Sequence, residues 1–143
     1  MKLLSIALLG LLAACSGASS EPEPAPSILA SLDRQISSNA ESFVLHWQAV
    51  AEAPPLNEEY DMLFALRDSA GQAVDLDVAD IRLDARMPHH GHGMTQDPVL
   101  ERSGPGEYRA RGMRLHMTGH WEVYVDVRQG PVWERAEFVL NLQ

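Results

Sequence analysis

Cysteine and lysine are almost absent from this chain of 143 residues. Cys15 is the single cysteine and Lys2 the single lysine, against ten arginines and 20 acidic residues. A lone cysteine excludes an intramolecular disulfide. The net charge of -9 argues against nucleic acid as a partner, because phosphate binding needs clustered Lys and Arg to displace counterions.

Long hydrophobic runs are missing as well. The apolar stretch at residues 3–12 is too short to cross a bilayer, which takes about 20 residues. It follows Lys2 and ends in Ala13, Ala14 and Cys15, a pattern of basic start, apolar run and small-residue cleavage site that predicts a secretory signal over residues 1–14. The small residues before Cys15 resemble the bacterial lipobox, in which the cysteine becomes the lipidated first residue. We therefore expect a lipoprotein of the bacterial cell envelope, anchored to the bilayer through Cys15.

Two features after the lipobox extend this expectation. In a Gram-negative source, Ser16 in place of aspartate implies the outer membrane, with the protein facing the periplasm. Residues 15–27 read CSGASSEPEPAPS and carry no large apolar side chain, which predicts a disordered tether. Residues 28–143 have the length of a single domain.

Short segments rich in Val, Leu and aromatic residues, separated by Pro, Gly, Asn and Asp, predict an all-β domain. The predicted strands are 42–50, 60–67, 81–87, 99–102, 107–110, 113–117, 121–128 and 133–142. A helical turn is expected within 30–38, a turn at 68–71 and a tight hairpin at 104–106. We expect an immunoglobulin-like antiparallel β-sandwich of seven to eight strands, although a small barrel would have a similar pattern.

The clearest pattern is an alternation with a period of two in the strand predicted at 121–128. We expect Tyr124 and Asp126 to face solvent. The apolar residues between them should face the core, namely Trp121, Val123, Val125 and Val127.

Histidine and methionine are concentrated in two short stretches, MPHHGHGM at 87–94 and MRLHMTGH at 113–120. Imidazole and thioether are ligands that copper favours, and the soft sulfur of Met favours Cu(I), whereas zinc has little use for Met. The stretches contain five of the six histidines and four of the six methionines: His89, His90, His92, His116, His120, Met87, Met94, Met113 and Met117. If the strands at 81–87 and 113–117 end at the same edge of the sandwich, the two groups meet there.

His90 and His92 are the principal predicted ligands. Their spacing places both imidazoles on one side if the loop is locally extended, and the flanking glycines leave room for an ion. Met94 or Met117 would complete a Cu(I) site near Trp121. This site requires the residues of the loop to converge with those of the second stretch.

Three further histidines are candidate ligands: His89, His116 and His120. In a strand at 113–117, His116 and Met117 would point to opposite faces, so only one could face a given site. Met113 and Met117 also fit a structural role as core fillers. The loop itself could instead organise hydrogen bonds or be a solvated turn. His46, on an apolar strand, is expected to have no part in the site.

The two stretches resemble the YtkA-like domain family, which is related to FixH-like proteins. The resemblance covers roughly residues 60–130. It implies an immunoglobulin-like sandwich and an association with copper handling or oxidase assembly. The family's pattern is Met-Pro, a variable residue, His-Gly-His-Gly, then Gly-x-Tyr and Met-x-Gly-x-Trp, which falls here on Met87, Pro88, His90, Gly91, His92, Gly93, Gly106, Tyr108, Met117, Gly119 and Trp121.

The first functional hypothesis is a periplasm-facing copper-binding lipoprotein acting as carrier, buffer or chaperone. Lipidated Cys15 normally has an acylated amino group, so side chains would have to supply every ligand. The alternative is a metal-free binding or assembly module that docks a membrane or respiratory complex through the same loop. The sequence contains no HExxH, no GxSxG and no catalytic cysteine, which argues against an enzyme.

Overall fold

The protein is all-β in the part of the chain that its computed structural model describes, residues 27–48 and 54–143. Nine strands occur there, and all pair antiparallel. They are β1 (Arg34–Ser37), β2 (Val44–Trp47), β3 (Tyr60–Arg67), β4 (Ile81–Met87), β5 (His92–Gly93), β6 (Val99–Gly104), β7 (Glu107–Met113), β8 (Gly119–Gln129) and β9 (Val132–Leu142). Short 3-10 turns span Leu29–Ser31 and Val78–Asp80. Within these described ranges, no helix has the length and apolar character needed to cross a membrane.

The strands form two sheets that pack as a sandwich. The five-stranded sheet has the order β1-β2-β3-β7-β6, and the four-stranded sheet has the order β5-β4-β8-β9. Trp47 of the first stacks on Phe138 of the second with ring centres 4.1 Å apart. The fold class is therefore as the sequence predicts, with nine strands rather than seven to eight.

The alternation along β8 is confirmed. Its four apolar residues, 121, 123, 125 and 127, are fully buried. Asp126 lies on the outer face and pairs with Arg135. Tyr124 is on that face too, yet it is only 9% exposed, because the guanidinium of Arg135 packs over its ring at 4.3 Å.

The strand predicted at 113–117 is wrong. β7 continues without a break through Met113, and the residues that follow, 114–118, form the connection to β8. Gly112 has φ +74°, and the pairing shifts register from Met62–Ala110 to Tyr60–Met113. The glycine thus carries a β-bulge, which bends the strand without ending it.

The sequence did not predict β1 and β5, because neither has the length and apolar alternation that indicate a strand. All four residues of β1 are exposed, so this edge strand has no alternation, while β5 has only two residues. The strand predicted at 42–50 is shorter, Val44–Trp47; residues 49 and 50 lie outside the described part. The turn at 68–71 and the hairpin at 104–106 are both present.

A buried ion pair holds the start of the described chain against the five-stranded sheet. Arg67 and Glu107 lie 3.2 Å apart and are both buried. Glu107 also accepts hydrogen bonds from the Ser27 hydroxyl and from the backbone N–H of Ile28. The predicted signal, Cys15, Ser16 and the tether up to residue 26 lie outside the described residues.

Candidate metal site

The histidine loop is a tight hairpin between β4 and β5. The backbone N–H of His90 donates to the carbonyl of Met87 at 3.0 Å, and that of Met94 donates to Ala85 at 3.1 Å. Gly91 completes the turn with φ +66°, a conformation that glycine adopts without strain. The loop is therefore a defined turn whose residues, 88–91, are exposed.

The backbone between the two principal predicted ligands is not extended. The backbone between His90 and His92 passes through the left-handed Gly91, so the local extension on which their pairing depended is absent. His92 instead lies directly opposite Met87 in the β4–β5 register. Opposed residues of an antiparallel pair project from the same face, and Met87 is in the core. His92 therefore projects over the end of the sandwich core.

The connection between β7 and β8 brings a second histidine to the same place. Leu115 is fully buried and its carbonyl accepts a hydrogen bond from Asn57 at 2.8 Å, which fixes the segment. The ring of His116 lies 6.0 Å from that of His92, edge to face, and 5.6 Å from that of Trp121. We call His92 and His116 the inner pair.

His116 has an unsatisfied nitrogen. Its Nδ1 atom is buried and has no hydrogen-bond partner among the described residues. A buried polar atom without a partner destabilises the fold by about 1–3 kcal/mol. Because the segment 114–118 is not a strand, the rule that His116 and Met117 face opposite ways does not apply.

The methionines fall into two groups by burial. Met87 and Met113 are buried in the core, as expected of core fillers. Met94 and Met117 are only partly buried against it, one residue beyond β5 and one residue beyond His116. The indole N–H of Trp121 donates to the carbonyl of Met117 at 2.9 Å, which holds that part of the backbone beside the inner pair.

A second histidine pair lies on the opposite side of the loop. His89 and His120 have ring centres 6.5 Å apart, and we call them the outer pair. His120 alternates with the buried Trp121, so it projects from the outer face of the four-stranded sheet. Its Nδ1 lies 3.3 Å from the side-chain oxygen of Asn141, and its Nε2 lies 3.9 Å from Oε1 of Glu122. Sequence reasoning missed Asn141, because only the β8–β9 register places it opposite His120.

One metal ion can bridge two imidazoles only over a limited range of spacings. With metal–nitrogen bonds of about 2 Å, two imidazoles on one ion have ring centres about 5 Å apart in tetrahedral geometry and about 6.4 Å apart in linear geometry. The inner pair, at 6.0 Å, lies within this range, whereas the outer pair, at 6.5 Å, must close to share an ion. Across the described ranges, no three His, Cys, Asp or Glu side chains are gathered closely enough to hold an ion. Any third protein ligand must therefore come from a thioether or from a side chain that moves.

The loop is open to solvent on its outer side. A cleft of about 580 Å³ runs beside it, with His92, Met94 and Tyr124 among the lining residues. His46 lies elsewhere, on β2, between Gln35 and Ala65 in the five-stranded sheet. Burial, aided by the positive charge of Arg67, lowers the pKa of His46.

Comparison with known proteins identifies a family. The family model described as YtkA-like matches residues 39–126, from ahead of β2 to within β8. The match therefore begins well before residue 60, where the sequence resemblance started. No curated protein and no solved structure matches the chain.

Proposed function

This chain belongs to the YtkA-like family, and we propose that it is a membrane-anchored, periplasm-facing lipoprotein that binds copper as a carrier, buffer or chaperone. One observation carries the proposal. His92 and His116 come from separate segments, yet their rings lie 6.0 Å apart, and a buried nitrogen of His116 is left unpaired.

A metal bond supplies the partner that this nitrogen lacks. The ring of His116 contacts those of His92 and Trp121, and its Nδ1 atom is buried, while His92 is exposed to solvent. Imidazole binds both oxidation states of copper, and thioether sulfur favours Cu(I). Met94 and Met117 are the thioethers nearest in sequence to the inner pair, and neither is fully buried. Together these donors fit a Cu(I) site better than a zinc site.

In this proposal His92 remains a copper ligand, and His116 rather than His90 provides the second imidazole. His90 is exposed at the turn, and its role as a ligand stays a prediction. The single variant His90→Ala tests that role, since an exposed loop side chain contributes little to packing.

The start of the described chain supports an outward-facing site. Ser27 meets Glu107 at the first residue of β7, whereas the metal end lies beyond Met113, the last residue of that strand. Six residues at about 3.3 Å each place these ends about 20 Å apart. A tether running from Cys15 to Ser27 would therefore join the domain at the end away from the inner pair, leaving that pair free to exchange metal.

Metal analysis of the mature protein, purified in detergent without an affinity tag, tests the proposal. After exposure to Cu, Zn and Ni under reducing conditions and desalting, we expect copper to be retained by the wild type and lost from His92→Ala/His116→Ala. Protein that retains no copper but captures a membrane complex would support the metal-free assembly module instead. Labelling with a radioactive fatty acid tests the anchor, and Cys15→Ser should abolish incorporation.

A further inference from the structure

The hairpin turn presents histidines on two sides of the molecule. His116 lies against Trp121, whereas His120 precedes Trp121 in β8 and projects from the opposite face. His120 therefore cannot join the inner pair. It meets His89 of the turn instead, with ring centres 6.5 Å apart.

The orientation of His120 is set by Asn141. The amide oxygen of Asn141 lies 3.3 Å from Nδ1 of His120 and accepts a hydrogen bond in the tautomer that has its proton on Nδ1. Nε2 then presents its lone pair. Histidines that bind metals almost always donate the other ring N–H to a protein acceptor in this way.

A carboxylate completes the set of donors. Oε1 of Glu122 lies 3.9 Å from Nε2 of His120, and a closure of about 0.5 Å would let both atoms bond one tetrahedral ion at about 2 Å. The other oxygen of Glu122 accepts a hydrogen bond from the hydroxyl of Tyr124. The ring of Tyr124 is in turn covered by Arg135. Tyr124 thus fixes one oxygen of the Glu122 carboxylate, and the other oxygen faces His120.

We propose that His89, His120 and Glu122 form a second metal site, which binds a divalent ion of the Zn²⁺ class. Two imidazoles and one carboxylate, with water in the fourth position, make a donor set typical of zinc. The set contains no thioether, which sets it apart from the inner pair. The three side chains are not assembled around one point in the described structure. His120 and Glu122 are held by neighbours, and the exposed His89 must move in from the turn to complete the site.

The second site does not depend on the copper proposal. Each pair has its own residues, and in the described structure the ring contacts of His89 and His120 are with each other. The two sites should therefore be lost separately.

Calorimetric titration of the full mature protein with zinc sulfate, in a buffer that does not bind metals, tests the inference. We expect one equivalent of zinc to bind to the wild type and equally to His92→Ala/His116→Ala. His120→Ala and His89→Ala should each lose that equivalent. Glu122→Gln, which is close in shape, should weaken binding at least tenfold, and Asn141→Ala should weaken it about 10–100-fold. His46→Ala is the matched control and should bind as the wild type does.

Three results would overturn the inference. The first is equal zinc affinity in the wild type and His120→Ala. The second is loss of zinc only from His92→Ala/His116→Ala, which would place zinc at the inner pair. The third is a lower melting temperature of His120→Ala with unchanged zinc binding, as a purely structural ion pair between His120 and Glu122 requires.

Discussion

The terminal methyl carbon of Met87 lies in the space that a β carbon at Gly119 would enter. A Cβ atom built on Gly119 would be 2.9 Å from Cε of Met87, and Gly119 has φ +121°, a backbone conformation that other residues rarely adopt. Met87 precedes the histidine loop, and Gly119 lies between His116 and His120. The lack of a side chain at Gly119 therefore leaves room for Met87 where the two histidine segments meet.

Replacing Gly119 with alanine should destabilise the domain. We expect Gly119→Ala to lower the free energy of unfolding by about 1–3 kcal/mol, mainly through backbone strain, with a further loss as Met87 moves aside. Gly130→Ala is the control, since Gly130 has φ +64° and open space around it; it should lose about 1 kcal/mol. Urea unfolding measures both, and an equal or smaller loss in Gly119→Ala would contradict the account.

The register of β8 predicts opposite outcomes for two neighbouring substitutions. Val125 is fully buried, so Val125→Asp places an unpaired carboxylate in the core at a cost of several kcal/mol, about the stability of a whole domain. Asp126→Val only removes a surface pair with Arg135 and should leave the fold almost unchanged. Circular dichroism melts compare the two. Similar melting behaviour would show that the register is wrong.

Loss of the buried ion pair should lower the free energy of unfolding much more than loss of an exposed pair. Glu107→Ala leaves Arg67 buried without its carboxylate and releases Ser27, so we expect a loss of about 3–5 kcal/mol. Glu101→Ala removes an exposed pair with Arg111 and should have little effect. Chemical denaturation of both variants checks this, and comparable midpoints would refute it.

His46 should make the fold sensitive to acid. Its pKa is lowered by burial and by Arg67, so the folded domain resists a proton that the unfolded chain takes up below about pH 6.5. Stability contributed by neutral His46 is therefore present above that pH and lost as the pH falls. His46→Gln should show a smaller loss between pH 7.5 and 5.5 in urea unfolding. An unchanged pH dependence would rule this contribution out.

Much of the fold can be predicted from the sequence, because burial of one sheet face imposes an alternation. β3 and β4 have the predicted bounds, and the apolar side of β8 is as predicted. β1 could not be found, since an edge strand with four exposed residues has no apolar face to reveal it. The break predicted before Met113 is absent because Gly112 forms a bulge, and sequence alone does not distinguish a bulge from a strand end.

The sequence predicts which residue types form the candidate site, but not which histidines face each other. Clustering of His and Met residues indicates that a loop and a later segment carry ligands, and the structure brings those segments together. Which histidines face each other depends on the turn at Gly91 and on the β4–β5 register. These place His92 beside His116, although His90 and His92 are both exposed. Strand register and the contact between distant segments are tertiary properties. The spacing of residues within the loop therefore could not predict that His92 meets His116.

Competitive titration with Cu(I) tests the central claim most directly. Wild type, His92→Ala/His116→Ala and His46→Ala are each titrated, in reducing anaerobic buffer, against a chromogenic Cu(I) chelator. The double variant should keep its fold by circular dichroism and lose at least tenfold in affinity, while His46→Ala binds as the wild type does. Equal Cu(I) affinity in the folded double variant and the wild type would contradict a copper site at His92 and His116.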